Sequence, residues 1–246
     1  MIVTVGSVRG SPGVTSWSLL LAAAWPAESA AERVVLEADP DGGVLGVRYG
    51  LGVEPGAVSL LAALRHTLSS VPVEDHGRHL GDVWVVPGPE AAERARSVWS
   101  SSAEAAAAHL VSDDRLLLVD AGRLHSANPS RVFVGSSVMT VLVSGRRLED
   151  LVQLPSRIAS LPPTSGGIGV LVVGKSGYDR AELADFVGIS ELWTVDHHAD
   201  LVELSGQLLG GGRGRRSWLW RQAVDVARAI AEASAVTTRP SAEVRR

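Results

Sequence analysis

No cysteine occurs among the 246 residues, and this absence excludes disulfide bonds, thiolate metal sites and cysteine nucleophiles. Lysine is nearly absent too, since Lys175 is the only one and arginine provides the other long basic side chains. No apolar run reaches the roughly 18–20 residues that a membrane-spanning helix needs. The N-terminus also lacks the basic region of a signal peptide, so the sequence predicts a soluble, cytoplasmic protein.

The bulk composition is that of a globular domain. Hydrophobic residues make up 46% of the chain, which is enough for a sizeable core, and the length suits one large α/β domain. We expect this domain to span residues 1–235 and to be followed by a frayed polar tail over 236–246. The formal net charge of −4 argues against a surface dedicated to DNA, because the DNA backbone selects basic surfaces.

Short apolar runs alternate with amphipathic or alanine-rich stretches along the whole chain. Strands with continuous apolar character are typical of sheets that are buried on both faces. The pattern therefore predicts an α/β fold, with a mostly parallel, doubly wound sheet and helices on both faces. The predicted strands cover residues 2–6, 33–37, 83–86, 115–120, 138–143, 168–173 and 192–195, and the predicted helices cover 13–25, 57–68, 90–110, 148–161, 179–187, 200–209 and 217–234.

The first strand runs into a turn and helix that have the layout of a phosphate-binding loop. A Gly/Pro-rich turn precedes a helix that opens on Thr15 and Ser16, so backbone N–H groups can face an anion. The motif G-x-x-x-x-G-K-[ST] is not satisfied, because Val8 replaces its first glycine and Val14 replaces its lysine. Thr15 keeps the hydroxyl that can bind Mg²⁺. The loop is interpreted either as a phosphate cradle or as an inherited turn that only packs.

Carboxylates follow two other predicted strands. Glu37 and Asp39 lie in the turn after the second strand, and Asp120 ends a buried apolar strand. Because ligands of parallel sheets bind at the carboxyl ends of the strands, these groups and the loop are expected at one edge. Glu37 and Asp39 can be water-positioning and metal-linked groups, or members of a turn that Asx-type hydrogen bonds stabilise.

These motifs, taken in order, resemble the deviant Walker A group of P-loop ATPases, the MinD/ParA family. The family's loop K-G-G-x-G-K-[ST] aligns with residues 9–15, its D-x-D-P turn with Glu37 to Pro40, and its Walker B strand with Leu116 to Asp120. The late strand and its adenine-contacting turn resemble Thr194 to His198. Within the family, the chain looks most like the pilus-assembly and septum-site branch, the CpaE/TadZ-like and Ssd-like proteins of actinobacteria.

The resemblance implies a set of roles for this chain. ATP or ADP would be bound with Mg²⁺, which Thr15 and Asp120 would hold, and Asp39 would orient the attacking water. Arg9 stands on the signature lysine, which in the family reaches the phosphate of the partner subunit, so a homodimer is implied. The nucleotide-binding residues would be Arg9, Gly10, Ser11, Pro12, Gly13, Val14, Thr15 and Ser16.

Three functions remain open at this stage. One is a degenerate nucleotide-binding protein that regulates the position or assembly of a pilus, secretion or division machine through a protein partner. Another is a slow ATPase in which Arg9 replaces the Walker lysine, and the third is a pseudo-ATPase scaffold that never binds nucleotide. Because Val14 cannot neutralise phosphate oxygens, we expect weak ATPase activity or none. The basic, tryptophan-containing segment 213–235 is expected to dock on the sheet rather than to contact a membrane.

Overall fold

A computed structural model describes residues 1–9, 13–30, 32–66, 71–112, 114–175, 177–209 and 215–238. Within these ranges, eight strands form one sheet in the order β3-β4-β2-β5-β1-β6-β7-β8. All neighbouring strands are parallel except β3 and β4, which are antiparallel, so the predicted fold class is confirmed. The strands are β1 (Ile2–Ser7), β2 (Glu32–Glu37), β3 (Arg78–Leu80), β4 (Val83–Val86), β5 (Arg115–Arg123), β6 (Met139–Gly145), β7 (Ile168–Val173) and β8 (Leu192–Val195).

Helices cover both faces of this sheet. They are α1 (Val14–Ala24), α2 (Leu45–Arg48), α3 (Ala57–His66), α4 (Ala92–His109), α5 (Val132–Ser136), α6 (Leu148–Leu151), α7 (Leu154–Ser160), α8 (Arg180–Val187), α9 (Leu201–Leu209) and α10 (Trp218–Thr238). Short 3₁₀ turns occupy Val73–His76 and Pro129–Arg131. No helix among the described residues is both long enough and apolar enough to cross a membrane.

Side-chain alternation along the strands divides the interior into two cores. On β1, Ile2 belongs to the core that α3, α4 and α8 cover, whereas Val3 and Val5 belong to the core beneath α1, α9 and α10. Successive residues of a strand point to opposite faces, so a strand that is apolar throughout is buried on both sides. This is why the continuous runs in the sequence predicted the architecture correctly.

The last helix packs against α1 through an apolar stripe. The buried residues of this stripe are Leu219, Ala223, Val226, Ala227, Ile230 and Ala231. The sequence predicted that this helix docks on the sheet; its stripe is buried inside the protein, and its main contacts are to α1.

Several element boundaries differ from those that the sequence predicts. The helix predicted over 148–161 is two helices, and Pro155 lies in the first turn of the second, where its missing N–H costs no hydrogen bond. The hairpin strand β3 and the four-residue helix α2 were not predicted. Helix α10 extends to Thr238, three residues into the predicted tail, and residues 239–246 lie outside the described ranges.

Candidate functional site

The carboxyl ends of β1, β2 and β5 lie side by side and border one cavity. Asp120 of β5 pairs in register with Val5 of β1 and with Glu37 of β2. The cavity has a volume of about 450 Å³. Its walls come from the end of β1, the first turn of α1, the acidic turn after β2, both ends of α2, the end of β5 and one residue of α9. The lining residues are Ser7, Gly13, Val14, Thr15, Ser16, Asp39, Asp41, Gly42, Val44, Arg48, Gly122, Arg123 and Val202.

The first turn of α1 presents backbone donors to this cavity. Among the described residues, the first bond of the helix runs from the N–H of Trp17 to the carbonyl of Gly13 at 2.9 Å, and the N–H groups before it have no described intrahelical partner. Gly13 precedes the helix with φ of 90°, and a side chain there would come within 2.8 Å of Leu201. The first turn contains no acidic residue that could cap it. An anion in the cavity would meet these N–H groups at the positive end of the helix dipole.

Val14 occupies the position of the missing lysine and is only 8% exposed. Its side chain borders the cavity and also belongs to the core beneath α1. The position is therefore apolar and packed, and no positive charge comes from this wall of the cavity. The predicted phosphate-binding residues Gly10, Ser11 and Pro12 lie outside the described residues.

Asp120 is fully buried and is not among the residues that line the cavity, but it lies next to Thr15, which does line it. Its Oδ1 atom accepts the N–H of Gly122 at 3.1 Å, and its Oδ2 atom is buried without a hydrogen-bond partner among the described residues. Burial raises the pKa of Asp120 to about 7; the neighbouring Thr15 hydroxyl opposes this rise, and the carboxylates of Glu37 and Asp39 add to it. An orphaned carboxylate oxygen beside a threonine hydroxyl fits a hard cation such as Mg²⁺, which prefers oxygen ligands.

Asp39 borders the cavity as the sequence predicted. Its Oδ1 atom accepts the N–H of Asp41 at 2.8 Å, which is the Asx-type bond of a turn. Burial raises the pKa of Asp39, the Asp41 N–H and the charge of Arg123 lower it, and the Asp41 carboxylate raises it. The two interpretations of this residue are compatible, because one oxygen stabilises the turn while the carboxyl group still faces the cavity.

Glu37 serves the backbone instead of the cavity. Its Oε1 atom accepts the N–H groups of Val44 at 2.6 Å and Leu45 at 3.0 Å, and its Oε2 atom accepts that of Gly88 at 2.9 Å. Burial raises the pKa of Glu37, and the three N–H bonds lower it. The carboxylate thereby joins the end of β2 to the start of α2 and to the turn after β4. Of its two interpretations, the structure favours the structural one.

Arg9 is exposed and is not among the residues that line the cavity. Its Nη1 atom donates to the carbonyl of Glu149 at 3.4 Å, so the side chain extends towards α6. The role that the family resemblance implies for Arg9 requires a second subunit and stays a prediction.

Two arginines that sequence reasoning missed do line the cavity. Arg48 ends α2, and Arg123 ends β5. A four-residue helix leaves too little periodicity to be recognised, which is why Arg48 gave no signal. Arg123 lies in a strand that is three residues longer than predicted.

A second cavity of about 480 Å³ lies at the carboxyl ends of β7 and β8. Lys175, Asp196 and Trp218 are among its lining residues. The Asp196 carboxylate accepts the indole N–H of Trp218 at 2.6 Å and an amide N–H of Gln222 at 3.2 Å. The turn predicted to contact adenine is thus fixed to α10 at the same sheet edge as the first cavity.

No protein-family model matches the sequence, and no curated protein is significantly similar to it in sequence. Solved structures are similar in fold. The septum site-determining protein MinD from Pyrococcus horikoshii, complexed with Mg-ADP, has a TM-score of 0.68 at 16% identity over 97% of this chain and 99% of its own. A ParA family ATPase from Chlorobium tepidum has a TM-score of 0.72 at 16% identity over 92% of this chain and 98% of its own. A MinC:MinD cell division protein complex from Aquifex aeolicus has a TM-score of 0.66 at 13% identity over 100% of this chain and 98% of that chain.

These comparisons define the class of fold. The eight-stranded, mostly parallel sheet with helices on both faces is the MinD/ParA-like P-loop fold. Identities of 13–16% establish the fold alone.

Proposed function

We propose that the chain binds ATP or ADP together with Mg²⁺ at the first cavity and that nucleotide occupancy regulates the position or assembly of a partner machine. The observation that carries the proposal is that the first turn of α1, whose N–H groups have no described intrahelical partner, lines the cavity, while Thr15 of that turn lies beside the buried Asp120 carboxylate, whose Oδ2 atom has no partner among the described residues. The N–H donors suit phosphate, and the carboxylate oxygen suits a divalent cation. The cavity volume of about 450 Å³ lies within the range of roughly 300–1,000 Å³ that small-molecule sites occupy.

Thr15 and Asp120 are the residues that would hold Mg²⁺, directly or through water. Bound there, Mg²⁺ would neutralise the charge of phosphate oxygens. This neutralisation matters more here than in a site that keeps the loop lysine. The N–H groups of the first turn of α1 would orient the phosphates. The turn after β8, which Trp218 and Gln222 fix through Asp196, would border the base.

Hydrolysis is a separate matter from binding. Asp39 faces the cavity and would orient the attacking water, but the lysine that neutralises the phosphates is absent from its usual position. We therefore assign the site mainly to binding, with slow ATP turnover or none. A protein of this kind would act as a switch whose bound nucleotide sets its assembly state. The fold's known members include a MinD in complex with MinC, which supports a protein partner as the readout.

A homodimer is part of this proposal. Arg9 is exposed beside α6, and we expect it to contact a second subunit from there. Arginine binds phosphate oxygens through two parallel N–H bonds, so it can perform the task that the family assigns to a lysine. Light scattering with Mg-ATP and with Mg-ADP tests this point. An ATP-dependent dimer that Arg9→Ala abolishes is the expected result.

Isothermal titration calorimetry tests the binding itself. Mg-ADP should bind the wild-type chain, and Thr15→Ala should weaken binding at least tenfold by removing a Mg²⁺ ligand. Thr164→Ala is the matched control, because this half-buried threonine lies in the segment before β7, at the opposite edge of the sheet. No binding of Mg-ADP or Mg-ATP at millimolar concentration would reject the proposal and leave a nucleotide-free scaffold.

A further inference from the structure

The cavity presents one basic group with an unusual environment. Arg48 lines the cavity, yet its Nη1 atom is shielded from solvent and has no hydrogen-bond partner among the described residues. Buried charged donors are normally paired, because an unpaired one loses its water without compensation. An anion that occupied the cavity would provide the missing acceptor.

The protein holds Arg48 in place from two sides. The Glu37 carboxylate accepts the N–H groups of Val44 and Leu45, which fixes the start of α2. Directly after Arg48, the Tyr49 hydroxyl forms a hydrogen bond with the Ser205 hydroxyl of α9 at 2.8 Å. The short helix is thereby fixed to β2 and to α9, and its last residue is presented to the cavity on a different wall from Val14.

The other arginines near the loop are less suited to this task. Arg9 extends towards Glu149 and does not line the cavity. Arg123 lines it but is exposed to solvent, and its charge acts on Asp39 by lowering the pKa of that carboxyl group. Exposed charges contribute little to a bound anion because water and salt screen them.

We propose that Arg48 supplies, from α2, the positive charge for the phosphoryl group bound at the start of α1, and so replaces the lysine that Val14 displaces. The inference rests on the proposed function, since it names the cation of the same site. A guanidinium group is well suited to it, because its N–H groups form two parallel hydrogen bonds with phosphate oxygens. In this chain the positive charge of the anion site would thus come from α2 and not from the loop.

Calorimetric titrations with Mg-ADP and with inorganic pyrophosphate test the inference. Arg48→Gln should weaken the binding of both ligands roughly ten- to a hundredfold, the factor that a charge-assisted hydrogen bond is worth. Arg48→Lys keeps the positive charge but lacks the planar guanidinium group. Its affinity for each ligand should therefore lie between those of wild type and Arg48→Gln. Arg228→Gln, exposed on α10 and outside the cavity, is the matched control and should stay within about threefold of wild type.

Thermal melting of each variant separates lost binding from lost folding. Arg48→Gln removes an unpartnered group and should melt close to wild type. The double variant Val14→Lys/Arg48→Gln provides a second route, since a lysine restored on the loop should recover most of the lost affinity.

The outcomes separate this inference from the proposed function. Wild-type binding that Arg48→Gln leaves unchanged overturns the role of Arg48 and keeps the nucleotide site. Binding of pyrophosphate alone, with the same dependence on Arg48, supports the inference and rejects the nucleotide. Binding of neither ligand by the wild type overturns both.

Discussion

Glu37 ends β2 and Asp39 lies two residues later in the turn, yet their carboxyl groups serve different purposes. Glu37 is fully engaged with the backbone N–H groups of Val44, Leu45 and Gly88, whereas Asp39 borders the cavity. The first acid therefore builds the wall of the site and the second is available to a ligand. Their different environments lead to different expected effects of substitution.

Glu37→Ala should destabilise the fold strongly, and Asp39→Ala should not. The first substitution leaves three N–H groups without their acceptor, of which those of Leu45 and Gly88 are in buried contacts, at a cost of about 1–3 kcal/mol each. The second removes a carboxylate whose pKa burial already raises, so we expect a change within about 1 kcal/mol. Urea denaturation measures both values. Equal destabilisation by the two variants would contradict the division of roles.

The raised pKa of Asp120 should make the stability of the Mg²⁺-free protein depend on pH. Its folded pKa of about 7 lies above the unfolded value of 3.8, so the folded state binds the proton more tightly. The fold is then most stable below pH 3.8 as far as this group is concerned, and it loses stability as the pH rises towards 7. The loss amounts to as much as roughly 4 kcal/mol, given about 1.4 kcal/mol for each tenfold change in proton affinity.

Asp120→Asn should remove the stability loss that occurs as the pH rises towards 7. Without Mg²⁺, the variant should melt at a higher temperature than wild type at pH 7.5, and the difference should shrink as the pH falls towards 4. The same variant should lose the stabilisation that Mg-ADP gives the wild type. A melting temperature below that of wild type at pH 7.5 without Mg²⁺ would show that the ionised carboxylate is compensated in the apo protein.

Gly122 has no room for a side chain next to Asp39. Its φ is +59°, and a Cβ there would collide with the carboxyl group of Asp39. Gly122→Ala should therefore cost about 2–3 kcal/mol, from the left-handed backbone and the displaced carboxylate together. Gly188→Ala is the matched control, because Gly188 has φ of +75° with no atom near its missing Cβ, and should cost only about 1–2 kcal/mol. Equal costs in thermal or urea denaturation would mean that Asp39 moves aside freely.

Val14→Lys restores the lysine of the loop motif. The new ammonium group should reach the cavity that Val14 borders and should tighten Mg-ADP binding about ten- to a hundredfold. Val47→Lys is the control, because it adds the same charge at a residue that is 69% exposed and does not line the cavity. This variant should bind Mg-ADP as tightly as wild type. Unchanged affinity in Val14→Lys, with the fold intact by circular dichroism, would argue against phosphate binding at this position.

The sequence predicted the sheet and much of the site because both depend on features that are local. Continuous apolar runs identified seven of the strands, and the loop, the turn at Asp39 and the strand ending in Asp120 could each be recognised separately. Their convergence follows from a rule for parallel sheets. In the structure Gly13, Val14, Thr15, Ser16 and Asp39 line one cavity and Asp120 is buried next to Thr15, while their role in binding stays a prediction.

The parts that the sequence did not predict depend on contacts between distant segments. Arg48 reaches the cavity only because Glu37 fixes α2 and Tyr49 contacts α9, and neither contact leaves a pattern in the sequence. The structural role of Glu37 likewise depends on Gly88, 51 residues away. The hairpin strand β3 is too short to show alternation.

A crystal structure of the protein soaked with Mg-ADP would test the central claim most directly. We predict density for the β-phosphate within hydrogen-bonding distance of the N–H groups in the first turn of α1, with Mg²⁺ near Thr15 and Asp120 and the Arg48 guanidinium on a phosphate oxygen. Nucleotide bound elsewhere, or a cavity that stays empty at saturating Mg-ADP in a lattice that leaves it open, would contradict the claim.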